Sequence, residues 1–563
     1  MSGIGAERVY PDIPTDGVSM PLALSPRLDS SFHLNARRLA ARVARYARIA
    51  SMGCLAAISA PGMAQSGTVD ATFGPYGTGW GETITRFATS FVALDGIVLP
   101  NDDNLIGGVC TVTTAPPTVG THFCIQKMVA NGGIAGVPTS GGAIYLKDSG
   151  TTMNQVSNGA GGAMLRQPDG KILLTAPCLS TAGATTNAFC VARFNADLSI
   201  DTTFGGGFAD NVARSAYYGL GSSYPNAIAL QPDGKIVVAG QCPQGATTTV
   251  MCAVRFSSTG VLETAFGNLR QFSPVTASGF DQAKSVIIAT DGKIVLGGNC
   301  RSGSFQYPCA GRLNTDGSID TAFNTGSLAP KVLPGIGGAD DYINDMKAQA
   351  NGELVWGGHC TNGAGTQRVP CAIRMLPSGN QLIAGADFDG ATVPTGNYQL
   401  LEPDSGGAFR IDKLLMPSDG KFFAMLRDDS SPKKSLIRRY NEDGSFDANW
   451  TQTPITWQYN SGRAIAIGQQ SSGKLLVMGD SEGRAFVLRL NNRPSAGRNC
   501  SMDIDGDGKV LPTTDGLLLA RASAGLTGTA VTAGAIGGGA QRTTWATIRE
   551  YLVMQCDMKN LAQ

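Results

Sequence analysis

Gln231-Pro232-Asp233-Gly234-Lys235-Ile236-Val237-Val238-Ala239-Gly240 is the stretch from which the fold can be read. A Pro-Asp-Gly turn leads straight into a run of β-branched residues. The same pattern returns as Gln167-Pro168-Asp169-Gly170-Lys171-Ile172-Leu173-Leu174, as Asp291-Gly292-Lys293-Ile294-Val295-Leu296-Gly297-Gly298, and as Ser418-Asp419-Gly420-Lys421-Phe422-Phe423. Aligned on the turn glycine, copies stand at Gly170, Gly234, Gly292, Gly352, Gly420 and Gly473. A degenerate one at Pro100-Asn101-Asp102-Asp103-Asn104-Leu105-Ile106-Gly107-Gly108 makes seven, at intervals of about sixty residues. Self-similarity at such a period marks a solenoid, a propeller or an array.

Within each copy an apolar run (residues 227–230) precedes the turn and another (236–239) follows it. Asp-Gly supplies the positive φ that a tight hairpin needs. Short runs rich in Val, Ile and Leu read as strands. A third run, Cys252-Ala253-Val254-Arg255-Phe256, is echoed by Cys190-Val191-Ala192-Arg193-Phe194, and turns such as Asp320-Thr321-Ala322-Phe323 follow. A fourth strand fits before the next copy. Four strands repeated seven times predict an all-β fold, a seven-bladed β-propeller over residues 65–492. A linear solenoid is the structural rival; sheet-like units without helices favour the closed ring. The last copy runs into Asn491-Asn492-Arg493-Pro494 without its Asp-x-x-Phe turn, and the missing piece stands at the other end as Val69-Asp70-Ala71-Thr72-Phe73-Gly74. A strand over residues 82–87 is therefore expected to complete the last blade.

These motifs resemble the delta-60 repeat family of bacterial β-propeller proteins, whose members carry Gln-Pro-Asp-Gly-Lys-Ile-Val-Val-Ala-Gly, then Arg-Phe, then Asp-x-x-Phe-Gly. The resemblance covers about residues 67–492. It implies a fold and export from the cell. The family has no shared catalytic motif, so it implies no activity.

Arg37, Arg38, Arg42, Arg45 and Arg48 precede an apolar stretch, residues 49–60, and a small-residue site at Gly62-Met63-Ala64. That order reads as a secretory signal peptide over residues 1–64, too short to span a membrane, with Met20 or a later codon as an alternative start. Removing it takes away seven Arg and four acidic residues, so 44 − 7 = 37 basic and 43 − 4 = 39 acidic side chains remain, a net charge near −2. No basic run stands out, which argues against nucleic acid. No other stretch is long and apolar enough for a membrane span, and a secreted monomer is expected.

Of thirteen cysteines, Cys54 leaves with the signal and twelve remain. Ten fall at one repeat position: Cys110 with Cys124, Cys178 with Cys190, Cys242 with Cys252, Cys300 with Cys309, and Cys360 with Cys371. Facing hairpin strands can bring such pairs within disulfide reach. Metal binding is the rival, but the spacings vary and lack Cys-x-x-Cys.

Residues 493–563 depart from the repeat. Asp503-Ile504-Asp505-Gly506-Asp507-Gly508-Lys509 has carboxylates at alternate positions and Gly at the sixth, the opening of a calcium loop. Asp503, Asp505, Asp507, the Lys509 carbonyl and Asp515 are the candidate ligands of calcium, and a Leu-rich helix should start near Asp515. An acidic surface turn is the plain alternative. The loop resembles the calcium-binding repeat of a type I dockerin, with two departures: Thr514 holds the twelfth loop place, and there is one repeat where a dockerin has two. Residues 527–539 read as loop, and a helix capped by Thr543-Thr544 should present Trp545, Ile548 and Leu552. Cys500 is expected to pair with Cys556, stapling a small calcium-dependent α-helical domain.

Material for catalysis is scarce. His33 lies in the signal, and His122 and His359 sit beside Cys124 and Cys360, where they read as surface or strand residues. No nucleophile elbow or phosphate loop is present, and most carboxylates fall in the turns. Phe194, Phe204, Phe256, Phe266 and Phe323 recur at fixed places and read as core; Trp356 and Trp457 are less regular. The expected function is a secreted or surface module that binds a protein or glycan, or serves as a scaffold. The alternatives are an extracellular polysaccharide-active enzyme or its accessory subunit, and a passive adhesive protein. Carboxylates and aromatics from different blades gathered at the channel mouth would favour the enzyme.

Overall fold

A computed structural model describes most of residues 67–492, together with 502–554 and 561; the longest internal stretches outside it are 134–142, 146–160 and 377–397. The expected signal segment, the Cys500–Cys556 pair and Trp457 lie outside the described residues.

The third sheet displays the unit. Its strands Tyr224–Leu230, Ile236–Pro243, Thr249–Phe256 and Arg270–Gln271 pair antiparallel in chain order. At the first turn the Gln231 N–H donates to the Lys235 carbonyl and the Gly234 N–H to that of Gln231, with Gly234 at φ +82°. Ile236 and Val238 pack toward the second sheet while Val237 and Ala239 pack toward the fourth. Both faces are covered, which is why the strand is apolar without alternation.

There are seven such four-stranded sheets. Their first strands are Ser90–Val98, Ala163–Arg166, Tyr224–Leu230, Gln282–Ile288, Tyr342–Ala348, Arg410–Leu415 and Arg463–Gln469. Each lies against the next, and the seventh lies against the first. The core is cyclic too: Phe91, Ala93 and Ile106 of the first sheet pack on Ala466, Leu476 and Met478 of the seventh. An all-β propeller results, with the first strands as its inner ring.

The seventh sheet is built from both chain regions. Trp80–Glu82 pairs with Arg484–Leu490, joining Trp80 to Leu488, and Val69 bridges Leu490. The strand expected over residues 82–87 thus lies earlier, and residues 83–89 are outside the described set. Spacing from the turn explains the shift: the corresponding strands start at Val212 after Phe204 and at Lys331 after Phe323, much as Trp80 follows Phe73.

Charged straps join several of the sheets to their neighbours. In the second, Lys171 and Arg193 both hold Asp201, at 2.8 Å each. Arg193 stacks 4.4 Å over Phe204 and donates to the Ser258 carbonyl of the third sheet. Lys293, Arg312 and Asp320 repeat the arrangement, as do Lys421, Arg439 and Asp447, and Glu263 replaces the Asp between Lys235 and Arg255. In the seventh sheet Arg489 and Lys474 hold Asp70, which comes from the N-terminal turn, and Arg489 donates to the Ala130 carbonyl of the first sheet. The recurring Lys, Arg, acidic residue and aromatic ring of the repeat are therefore one structural device.

Five disulfides join second and third strands: Cys110–Cys124, Cys178–Cys190, Cys242–Cys252, Cys300–Cys309 and Cys360–Cys371, with Cα–Cα separations of 5.7–5.9 Å. The paired cysteines stand diagonally: Cys242 lies opposite Val250, and Cys252 opposite Gly240.

The C-terminal part is small and helical. A wide helical turn, Pro512–Gly516, leads into α1 (Leu517–Ser523); α2 (Thr529–Thr532) and α3 (Trp545–Met554) follow. Ile504, Leu518, Ala522, Val531, Ile548 and Leu552 form its core. The one-turn α2 falls where loop was expected, because Val531 and Ala535 are buried in that core.

Candidate functional site

The inner ring carries the chemistry. In six sheets the first strand has a bulge at one register, holding Leu94, Asn226, Lys284, Asn344, Asp412 and Ile465. Bulges re-aim side chains and favour functional edges. This bulge pushes a carbonyl against the second strand: a Cβ at Gly240 would stand 2.0 Å from the Tyr224 oxygen. The close approach accounts for the glycine that ends the repeat motif.

The seven inner strands together carry Arg166, Lys284, Lys347, Arg410, Lys413 and Arg463 against only Asp95, Asp345 and Asp412. The whole chain is close to neutral. The inner strands thus carry a surplus of positive charge, although no basic run exists in the sequence.

The carboxylates come from three sheets and all three are engaged. Asp95 accepts the N–H groups of Gly96 and Met164, and Asp345 those of Met346 and Leu414, each at 2.9 Å, so both tie one inner strand to the next. Asp412 takes Arg410 at 3.0 Å and Arg427 at 2.9 Å. Lys413 of the sixth sheet reaches past the seventh to within 3.8 Å of Asp95. Burial alone would lower its pKa; Asp95, Asp345 and Asp412 outweigh that and raise it. Lys284 differs. Burial lowers its pKa, Asp412 offsets part of that, and the charges of Lys413 and Arg410 add to the lowering. Lys284 has no hydrogen bond or ion pair among the described residues.

Sequence reading missed these residues, since they are spread over six of the seven repeats. Superposing the copies at the bulge position would have exposed Lys284 and Asp412.

His359 lies in the second strand of the fifth sheet, Leu354–Thr361, the strand rather than the surface place of the two read for it, and is buried at 8% exposure. Its ring stacks 4.9 Å from that of Tyr342, and neither ring nitrogen has a partner. Burial, then the charges of Arg368 and Arg410, lower its pKa to about 4, so the imidazole is neutral at pH 7. His122 is also buried, in Gly120–Met128. Trp356 is wholly buried between the fourth and fifth sheets.

In the C-terminal part Asp503, Asp505 and Asp507 present carboxylate oxygens within 4.8 Å of one another. Asp503 accepts the N–H groups of Gly506, Asp507 and Gly508, Asp505 those of Asp507 and Gly537, and Asp507 that of Lys509. Gly506 and Gly508 take φ +77° and +86°. Asp515 stands apart from this group. It is buried, accepting from Ile504, Asp505, Leu511 and the Thr514 hydroxyl. Burial would raise its pKa, but these bonds hold it below the usual range.

Residues 167–204, 231–266 and 289–323 match the family described as "Domain of unknown function (DUF5122) beta-propeller". The chain is a β-propeller protein. No curated protein matches it in sequence. Among solved structures, similarity is found to a streptogramin B lyase (10% identity, TM-score 0.38, 73% of this chain and 97% of that one). The polysaccharide lyase Uly1 is similar at 12% identity and TM-score 0.42, with 73% and 90% covered. So is the propeller domain of the Trilobed protease from Pyrococcus furiosus, at 10% and 0.36, with 72% and 96% covered.

Proposed function

We propose that this is an exported seven-bladed β-propeller acting as a binding or scaffold module, with a calcium-stabilised C-terminal domain. The observation that carries the reading is the state of the axial carboxylates. Asp95, Asp345 and Asp412 are occupied by backbone N–H groups and arginines, so they hold strands and are not free for acid–base work. Five disulfides support an oxidising compartment.

The residues of the acidic loop fit calcium: Asp503, Asp505 and Asp507 are hard oxygen donors preset by backbone hydrogen bonds. The ion would neutralise three close carboxylates and fasten the loop to the core under α1 and α3.

A glycan array probed with the mature protein, with and without calcium, tests the binding reading. Saturable binding to a defined glycan or protein class supports it; turnover of a polysaccharide would overturn it. The enzyme reading has one observation in its favour, the neutral His359 stacked on Tyr342 within the field of Arg368 and Arg410. Loss of a polysaccharide-cleaving activity in His359→Ala, with retained melting temperature, is its test.

A further inference from the structure

We propose that the axis of the ring is a binding site for a carboxylate monoanion, anchored by the ammonium of Lys284 and flanked by Arg410 and Lys413. The inference rests on the binding-module reading and names its ligand class.

Around the axis Lys413 has Asp95, Lys347 has Asp345, Arg463 has Asp480 and Arg410 has Asp412. Lys284 has no such partner among the described residues, yet it is half-buried. The bulge in its strand re-aims it, and from the fourth sheet it lies within the electrostatic reach of Asp412, Lys413 and Arg410 of the sixth. Side chains from sheets that are not neighbours meet only at the axis. An unpaired ammonium withdrawn from water is costly, and an anion supplied from solution removes the cost. Lys284 itself carries one positive charge with no ion-pair partner among the described residues, so a ligand anchored on it needs one negative charge. A carboxylate matches; a dianion would bring surplus negative charge toward Asp412 and Asp95. The depressed pKa of Lys284 agrees with this picture, since a bound carboxylate would restore it.

The experiment is calorimetric titration of the full chain at low salt with glucuronate, with glucose as the neutral arm and sulfate as the dianion arm. Glucuronate should bind saturably and glucose should not, with sulfate weaker than glucuronate. Lys284→Met should weaken glucuronate by about tenfold or more, Lys284→Arg should retain it, and Lys434→Met, on an outer part of the sixth sheet, should leave it unchanged. Because Lys284→Met removes a half-buried unpaired charge, its melting temperature should equal or exceed that of the parent, which separates lost binding from lost folding. Absence of glucuronate binding, equal binding of glucose, tighter sulfate, or undiminished binding in Lys284→Met overturns the inference. If the glycan array is positive while any of these holds, this site alone falls; if the array is blank as well, the binding reading falls with it.

Discussion

Asp70 and Asp281 are aspartates with opposite fates. Burial acts on both to raise the pKa. At Asp70 the hydrogen bonds from Lys474 and Thr72 and the charge of Arg489 win, bringing it to about 2. Its folded pKa lies below the unfolded value, so its stabilisation is complete above about pH 4 and is lost as pH falls through 2. Asp201 and Asp320 shift in the same direction through the same Lys–Arg pairing. Acid unfolding should therefore sharpen below pH 4, and Asp70→Ala should cost about 2–3 kcal/mol at pH 7, because it strands Arg489 and Lys474; urea melts at pH 7 and pH 3 measure both. Asp281 is wholly buried, accepts one N–H from Arg301, and has an oxygen without a partner. Its pKa rises to about 6. A raised carboxylate favours the fold below the unfolded pKa and loses that contribution as pH climbs through 6. Asp281→Asn keeps the one bond and never ionises. It should stabilise by on the order of 2 kcal/mol at pH 8 and by little at pH 4, read by the same melts.

At the scale of the element, the hairpin of second and third strands is the unit on which the rest hangs. It holds the disulfide, the Pro-Asp-Gly turn at one side and the Arg that straps to the next sheet. A disulfide closing a short loop constrains the unfolded chain and is worth about 2–3 kcal/mol. Replacing Cys242 and Cys252 together by Ser should lower stability by that amount in thermal melts without altering the sheet content seen by circular dichroism. The sixth and seventh sheets have no cysteine in this hairpin and should be insensitive to reductant. In the C-terminal part, three carboxylates within 4.8 Å repel one another unless a cation intervenes. Calcium at millimolar level should raise the melting temperature of the full chain's C-terminal transition, and Asp505→Asn should abolish the increment, as followed by tryptophan fluorescence from Trp545 on α3.

For the whole molecule, closure is the governing event. Residues 67–82 place a turn, an ion-pair partner and a strand onto a sheet whose other strands lie about four hundred residues later. Such pairing is slow to form and strongly non-local, and without it Arg484–Leu490 is an exposed edge prone to association. Deleting residues 65–90 should lower the melting temperature and yield aggregates in size-exclusion chromatography; an unchanged melt would remove closure from the account.

Local chemistry decides what repeats, and that is why so much could be read from residues alone. The Asp-Gly turns, the apolar strands, the cysteine pairs at one repeat position and the split of the last sheet between both chain regions are short-range or periodic signals, and each is found in the folded chain. The alternate aspartates of the acidic loop are likewise local, and their carboxylate oxygens lie within 4.8 Å of one another. What repetition hides is whatever differs from copy to copy at one position. Lys284, Arg410, Asp412 and Lys413 look like ordinary strand residues in isolation; only when the inner strands are brought around a common axis does Lys284 come within reach of the other three. His359, read from the sequence as a surface or strand residue, lies in a strand and is buried there. Periodicity in a chain specifies the sheets, whereas the charge at the axis belongs to their assembly, because Coulomb's law depends on distance in space and not along the sequence.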